Sequence, residues 1–309
     1  MAFLGKGLTS RRPEWFSGTG VAVLSVSLRR HAIVFPVLLV AALAGCAQQP
    51  MTPATVSSSS AVPPEYQSRP DEDRVIPAVN PHYLNDRNRR RWVDYTGPEE
   101  PGTIVVDPYA RLLYHVVSPG RAMRFGIAVG KAGKGFSGNA VISRKVEYPS
   151  WTPTKNMVRN DPDLYGPLAG GLPGGLDNPL GARALYLYRN GKDTYYRIHG
   201  TMDPSSIGKA TSAGCIRLFN QDIIDMFDET ELGTRVKVRS RAESLEMEGA
   251  MTELHTGYVV PAADTEAIAA DEAAYEAGQI QDYSQVEQEQ HEAAVASAEE
   301  REAQLHGTN

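Results

Sequence analysis

Four patterns of hydrophobic and polar positions divide the chain. The first is an apolar run from Ala32 to Leu43, preceded by Arg29, Arg30 and His31. A run of this length is too short to cross a bilayer but suits the core of a secretory signal. From Ala47 to about Pro101 the sequence is rich in Ser, Pro, Gln, Asp and Arg, with no sustained apolar period, which predicts a flexible tether. The third pattern begins at Gly102. Short β-rich runs at Thr103–Asp107, Arg111–Val117, Met123–Val129, Ala140–Glu147, Ala184–Arg189, Thr194–His199 and Arg235–Arg239 are separated by Pro, Gly and Asp turns. Beyond Arg241 the chain turns to Ala, Glu and Gln with scattered Ile268, Tyr275, Ile280 and Val286, the pattern of an acidic tail that is disordered or partly helical.

The expected organisation is therefore a signal peptide over 1–45, a tether over 46–101, a mainly antiparallel β domain over 102–240 and an acidic tail over 241–309. Two irregular pieces interrupt the strands: 149–165 around Trp151, and 168–181 with Gly170, Gly171, Gly174 and Gly175. Their glycines serve either tight turns or a mobile loop over a site. After Cys215, Asn220 is placed to cap a short helix with an apolar face of Ile223, Ile224, Met226 and Phe227, and Asp222 near its amino end.

Composition refines this picture. With 41% hydrophobic residues the chain can bury one ordinary core, with material left over. The net charge of −6 hides an asymmetry: residues 241–309 hold 16 acidic and 2 basic residues, a balance of −14, which leaves +8 for residues 1–240. A basic body attracts nucleic acid, anionic lipid or an anionic polymer alike. No run of Lys and Arg interleaved with aromatics is present, and the cluster Arg87, Arg89, Arg90, Arg91 falls in the tether, so nucleic acid is not the expected partner. The run Gly130-Lys131-Ala132-Gly133-Lys134-Gly135 lacks the Ser or Thr that a phosphate loop needs after Gly-Lys. No nucleotide or other cofactor is expected.

The chain has two cysteines. An exported chain would ordinarily pair them. Cys46, however, closes Leu43-Ala44-Gly45-Cys46, which resembles the lipobox of bacterial lipoproteins; the plainer alternative is an ordinary signal that ends beside a cysteine. If Cys46 carries lipid, Cys215 is left as a thiol in an oxidising compartment, which favours a working residue over filler. Residues 1–28 are long for the charged start of a leader, which predicts a translation start nearer the apolar run.

Cys215 lies in a stretch with His199 sixteen positions before it, glycines beside both and Arg217 just after. If a turn folds the stretch back, His199 can take the thiol proton, giving a thiolate and imidazolium able to attack an acyl carbon. Backbone amides at Ala213, Gly214 and Cys215 can donate to the oxyanion. No second cysteine or paired histidine supplies a metal set, so no metal is expected.

These residues carry a resemblance. His199-Gly200-Thr201 followed by Ser212-Ala213-Gly214-Cys215-Ile216-Arg217 closely resembles the L,D-transpeptidase catalytic domain family of the YkuD type. The likeness extends over roughly 102–239, through Trp151-Thr152-Pro153, Pro173-Gly174-Gly175, Asn178-Pro179-Leu180-Gly181 and Asn220-Gln221-Asp222. It implies a β-sandwich or barrel-like domain with long loops and a short helix after the cysteine. Cys215 would attack the third-residue carbonyl of a peptidoglycan tetrapeptide stem and expel the terminal D-Ala, with His199 as base. An amine would resolve the thioester, from a neighbouring stem or from a protein to be anchored, an outer-membrane protein being one acceptor it allows. Ser212, Gly214, Arg217 and Gly200 match positions that shape the pocket, and Arg217 would hold site or carboxylate geometry, a surface salt bridge being its bland alternative. Many members carry histidine where this chain has Ala213.

The resulting expectation is a periplasmic enzyme, lipid-anchored through Cys46, with Ala47 favouring the outer membrane. Hydrolysis of the same thioester by water, and a noncatalytic wall-binding lipoprotein, are the competing readings.

Overall fold

The computed structural model describes residues 62–130, 137–212 and 214–306, without the side chains of Ser212, Ala294 and all positions beyond 296. The expected signal, Cys46, Ala213 and most of the glycine run at 130–135 lie outside the described residues. Among the described residues, no helix is long and apolar enough to cross a membrane.

In chain order the elements are a ribbon of β1 (Arg69–Asp71) and β2 (Arg74–Ile76), then β3 (Arg91–Asp94), β4 (Ile104–Asp107), β5 (Leu112–Ser118), β6 (Arg121–Gly126), β7 (Val129–Gly130) and β8 (Gly138–Glu147). Two short helices follow, α1 (Lys155–Asn160) and α2 (Pro162–Tyr165). After them come β9 (Arg183–Arg189), β10 (Lys192–His199), β11 (Ala210–Ser212), β12 (Ile216–Arg217), α3 (Asn220–Glu229) and β13 (Arg235–Val238). The carboxyl-terminal part holds α4 (Arg241–Glu248), a ribbon of β14 (Met251–Glu253) and β15 (Val259–Pro261), α5 (Thr265–Glu276) and α6 (Tyr283–His306).

The described strands build a nine-stranded mixed sheet in the order β12-β10-β9-β8-β13-β4-β5-β6-β3. Most neighbours are antiparallel, as the short turns between apolar runs require. The two parallel pairs are β13 with β4 and β12 with β10. Strand β4 is buried at all four residues and sits near the middle of the sheet. Its side chains alternate between faces. Ile104 and Val106 join the main core with Leu113, Leu185 and Ile198, closed by Ile223, Met226 and Phe227 of α3. Val105 faces the other way, into a second cluster with Tyr95, Leu112, Tyr114 and Val116.

Both flanks differ from the sequence expectation. The tether expected over 46–101 is folded from residue 62 onward. Tyr66 and Val79 pack with Ile207 and Phe219, and Ile76 packs with Ala182 and Ile224. Asp71 takes both guanidinium nitrogens of Arg183 at 2.9 Å. Arg69 meets Asp225 at 2.6 Å, and Arg90, expected as solvated, pairs with the same carboxylate. Single apolar anchors at the uneven spacings of Tyr66, Ile76 and Val79 leave no periodic signature, and ion pairs complete the attachment. The start of the acidic tail is also part of the fold: Met251 packs against the second cluster. A capping box at Ser240 and Glu243 starts α4.

Asp222 of α3 is fully buried, and burial pushes its carboxyl up to about 7, against the pull of Arg90 at 3.7 Å. Tyr66 donates to its Oδ2 at 3.2 Å. Because the folded-state value is raised, the contribution of this group to stability is present below the unfolded value near 3.8 and is lost as pH rises through about 7. Asp222→Asn keeps an acceptor and removes the charge. Urea unfolding is expected to show the variant gaining stability over the parent, on the order of 2 kcal/mol at pH 8 and less than half of that at pH 5. Equal differences at both pH values would show that Asp222 does not titrate in this way.

Candidate active site

Strand β10 ends on His199, and β12 pairs with its last two residues in parallel, Ile198 opposite Ile216 and His199 opposite Arg217. The main chain of Arg217 exchanges two hydrogen bonds with Ala128, at 2.9 and 3.0 Å, and Leu218 donates to the His199 carbonyl at 2.9 Å. This two-residue strand is thus held on both sides. Cys215 directly precedes it, which sets the thiol beside β10 near Arg197. Cys215 is the one cysteine among the described residues.

Next to the thiol, β10 is irregular. Its register with β9 shifts between Asp193 and Arg197, and Tyr195 there has a φ of +64°. Asp193 holds the bulge: it accepts from the Tyr195 N–H at 2.8 Å and from both ends of the Arg197 guanidinium at 2.8 and 2.9 Å. The bulge turns the Tyr195 carbonyl toward Cys215, whose Sγ stands 3.9 Å away, and leaves the Tyr195 ring 76% exposed. The Arg197 backbone N–H also addresses the sulfur. Neither feature has a sequence signal, because a non-glycine residue in the left-handed region is invisible to composition.

His199 is buried, and its Nδ1 lies 2.6 Å from the Gly200 carbonyl. A carbonyl only accepts, so the neutral ring carries its proton on Nδ1 and its lone pair on Nε2. Burial first and the Arg217 charge second depress the ring to about 3, although the Gly200 and Leu180 carbonyls favour its charged form. Burial likewise pushes the Cys215 thiol up, against the Arg197 N–H and the charges of Arg197 and Arg217. The sequence reading expected a thiolate and imidazolium pair. Both shifts instead favour a resting thiol and a neutral imidazole, since burial penalises each charge.

Gly200, expected among the residues that shape the pocket, has its backbone engaged. Its N–H donates to the Arg183 carbonyl at 3.1 Å and is not available to an oxyanion. A Cβ there would stand 2.1 Å from Asn220 Oδ1, so glycine is required by close packing. Asn220, expected to cap α3, does something else. Its Oδ1 accepts from Ala182 N at 3.0 Å and Thr201 N at 3.2 Å, and its Nδ2 donates to the Thr201 carbonyl at 2.8 Å. The Phe219 position caps the helix without a side-chain bond. Asn220 therefore ties the loop before β9 to the turn after His199.

Arg217 is mostly buried, donates to Thr211 Oγ1 at 3.2 Å, and has no carboxylate partner within ion-pair distance among the described residues. Its Nε is buried without a hydrogen-bond partner. Asp203, Tyr165 and Tyr283 are its electrostatic neighbours besides Cys215. This is not the surface salt bridge that was the bland alternative. Gly214, with a φ of +140°, occupies a conformation suited to glycine just before the thiol. Ser212 is placed by its backbone in β11, which pairs with β7. The irregular loops at 149–181 are stitched together by Asn178, whose Nδ2 donates to Pro149 and Pro173 carbonyls at 2.7 and 2.8 Å, and by paired Trp151 and Leu172 backbones.

Comparison with known proteins gives the family. The L,D-transpeptidase catalytic domain family (YkuD) matches residues 101–238. The probable L,D-transpeptidase ErfK/SrfK of Escherichia coli K12 is 39% identical over 139 residues, 44% of this chain and 43% of that protein. A putative L,D-transpeptidase encoded in the ATP synthase subunits region of Fuscovulum blasticum is 33% identical over 171 residues, which are 53% of this chain and 83% of that protein. The chain spans less than half the length of the ErfK/SrfK relatives it matches. A crystal structure of a probable carnitine operon oxidoreductase from Brucella melitensis is 49% identical, covering 50% of this chain and 96% of that one, with a TM-score of 0.36. A superposition at that score carries no argument, and the assignment rests on sequence. With a family match over the strands from β4 to β13 and a relative covered over most of its length, the chain belongs to the L,D-transpeptidase catalytic domain family.

Proposed function

We propose that this protein is a periplasmic L,D-transpeptidase that uses Cys215 as nucleophile and His199 as base on peptidoglycan stem peptides. The observation that carries the proposal is the pairing of β10 with β12, which brings the His199 end of one strand beside the segment that begins at Cys215. A neutral imidazole with Nε2 unprotonated is in the form a base needs. His199 takes the thiol proton as sulfur attacks the third-residue carbonyl of a tetrapeptide stem. The new C–S bond and the oxyanion form together, and the backbone amides of Gly214 and Cys215 supply its donors. The C–N bond to D-Ala then breaks, and the leaving amine receives the proton from His199. An acceptor amine attacks the thioester, passes a proton to His199 and restores the thiol. Arg217, a mostly buried cation without a carboxylate partner among the described residues, is suited to a substrate carboxylate.

The location is part of the same proposal. It rests on the signal-like run Ala32–Leu43 and on Cys46 as the lipid-bearing residue, with the outer membrane favoured. Incubation of the purified protein with tetrapeptide muropeptides tests the reaction: crosslinked dimers with release of D-Ala are expected. Tripeptide monomers alone would assign hydrolysis instead, and no product would leave a wall-binding role. Palmitate labelling that persists in Cys46→Ala would remove the anchor.

A further inference from the structure

Helix α6 lies beyond the family match, yet it meets elements that flank the candidate site at two places. Tyr283, the first residue of α6, donates its N–H to the His255 carbonyl at 2.7 Å. Its ring lies 4.1 Å from the Lys209 Nζ, next to the strand that leads into the Cys215 loop. It fits against Gly257, where a Cβ would stand 2.5 Å from its Cγ. Farther along, α6 packs on α2, and His291 Nε2 meets Asp161 Oδ2 at 3.5 Å. The two attachments are eight helical positions apart, a reach of roughly 12 Å.

Arg217 is linked to the near attachment by its Nη1, which donates to Thr211 Oγ1 at 3.2 Å on the strand that directly follows Lys209. Its electrostatic neighbours include Tyr165 of α2 and Tyr283 of α6, and it is two residues from Cys215. The joint before α6 is pinned as well. His255 has Asp282 on Nδ1 at 3.2 Å, Glu272 on Nε2 at 3.1 Å, and the Tyr275 ring stacked at 3.8 Å, while its N–H donates to Asp271 at 2.7 Å. The far attachment is weaker, since His291 is 46% exposed and such pairs are readily screened.

We infer that α6 is a strap across the Arg217 side of the approach to Cys215, anchored by Tyr283 and closed on α2, which restricts the bulk of the peptides that reach the thiol. A single linear stem passes under it, whereas a branched or already crosslinked stem must lift its far end. The stem as the filtered molecule rests on the proposed function; the strap itself does not.

Size-graded alkylation of Cys215 in the full chain tests the strap without requiring transfer, with peptide mapping to separate Cys215 from Cys46. Iodoacetamide serves as the small reagent and a polyethylene-glycol maleimide as the large one. Tyr283→Ala and His291→Ala are each expected to raise the maleimide rate about tenfold, one tenfold step in the opening equilibrium, with the iodoacetamide rate unchanged. Tyr283→Phe keeps the ring and is expected to behave as the parent. Unchanged maleimide rates in both variants, or equal acceleration of both reagents, would overturn the strap. Faster maleimide labelling in a protein that yields no product from muropeptides would retain the strap and remove the proposed reaction.

Discussion

Cys215→Ala is expected to abolish acylation, lowering the rate of D-Ala release from a tetrapeptide by at least about a thousandfold, because covalent chemistry has no second thiol in the described site. Intact mass after exposure to a carbapenem checks it directly, as the parent is expected to gain one adduct on Cys215 and the variant none. Folding is expected to survive, since alanine at 215 leaves the β12 backbone bonds to Ala128 and β10 untouched. The pH dependence of the parent separates this site from an exposed dyad. An ordinary histidine base loses activity as pH falls through about 6.5. His199 is held neutral down to about 3, so the acid limb of acylation is expected well below pH 6. An acid limb near 6.5 would mean that another group, or a solvated His199, governs the proton. Dimer formation undiminished in Cys215→Ala would remove the cysteine mechanism altogether.

The second large effect concerns stability. Arg239→Ala is expected to cost about 3–5 kcal/mol, the range for breaking a buried charge cluster from one side. Arg239 is 2% exposed, and its guanidinium reaches Asp107 at 3.2 Å, Glu248 at 2.8 Å and the Tyr95 hydroxyl at 3.3 Å. Asp107 itself is fully buried and is otherwise held by Ser244 and two backbone N–H groups. Removing the arginine strands that carboxylate and releases α4, whose Glu248 also accepts from Tyr114. Urea unfolding monitored by tryptophan fluorescence measures the loss; a change below about 1 kcal/mol, the worth of an exposed pair, would show that the cluster contributes little.

The strands were legible because each is a short apolar run bounded by turn residues, and all seven predicted runs correspond to strands of the main sheet. His199, Cys215 and Arg217 were legible as rare residue types close in sequence, and the fold sets His199 and Arg217 on two paired strands with Cys215 directly before the second. What escaped depends on contacts distant in sequence. Asn220 reads as a helix cap, and only its partners Ala182 and Thr201 reveal the clamp. Tyr195 reads as an ordinary strand residue, although Asp193 forces a bulge there. The anchors Tyr66, Ile76 and Val79 lack periodicity, and Tyr283 sits in a polar stretch whose composition predicts solvent exposure. The resting protonation of the thiol and imidazole followed from burial, which residue identity does not report.

The second apolar face of the sheet has a practical corollary. Its cover includes Tyr95, upstream of the family match, and Met251, downstream of it, while Tyr66 and Ile76 seal other parts of the core. A fragment cut at the borders drawn by similarity, 101 and 238, would bare these faces to water. The unit that folds is thus wider than the unit that is shared.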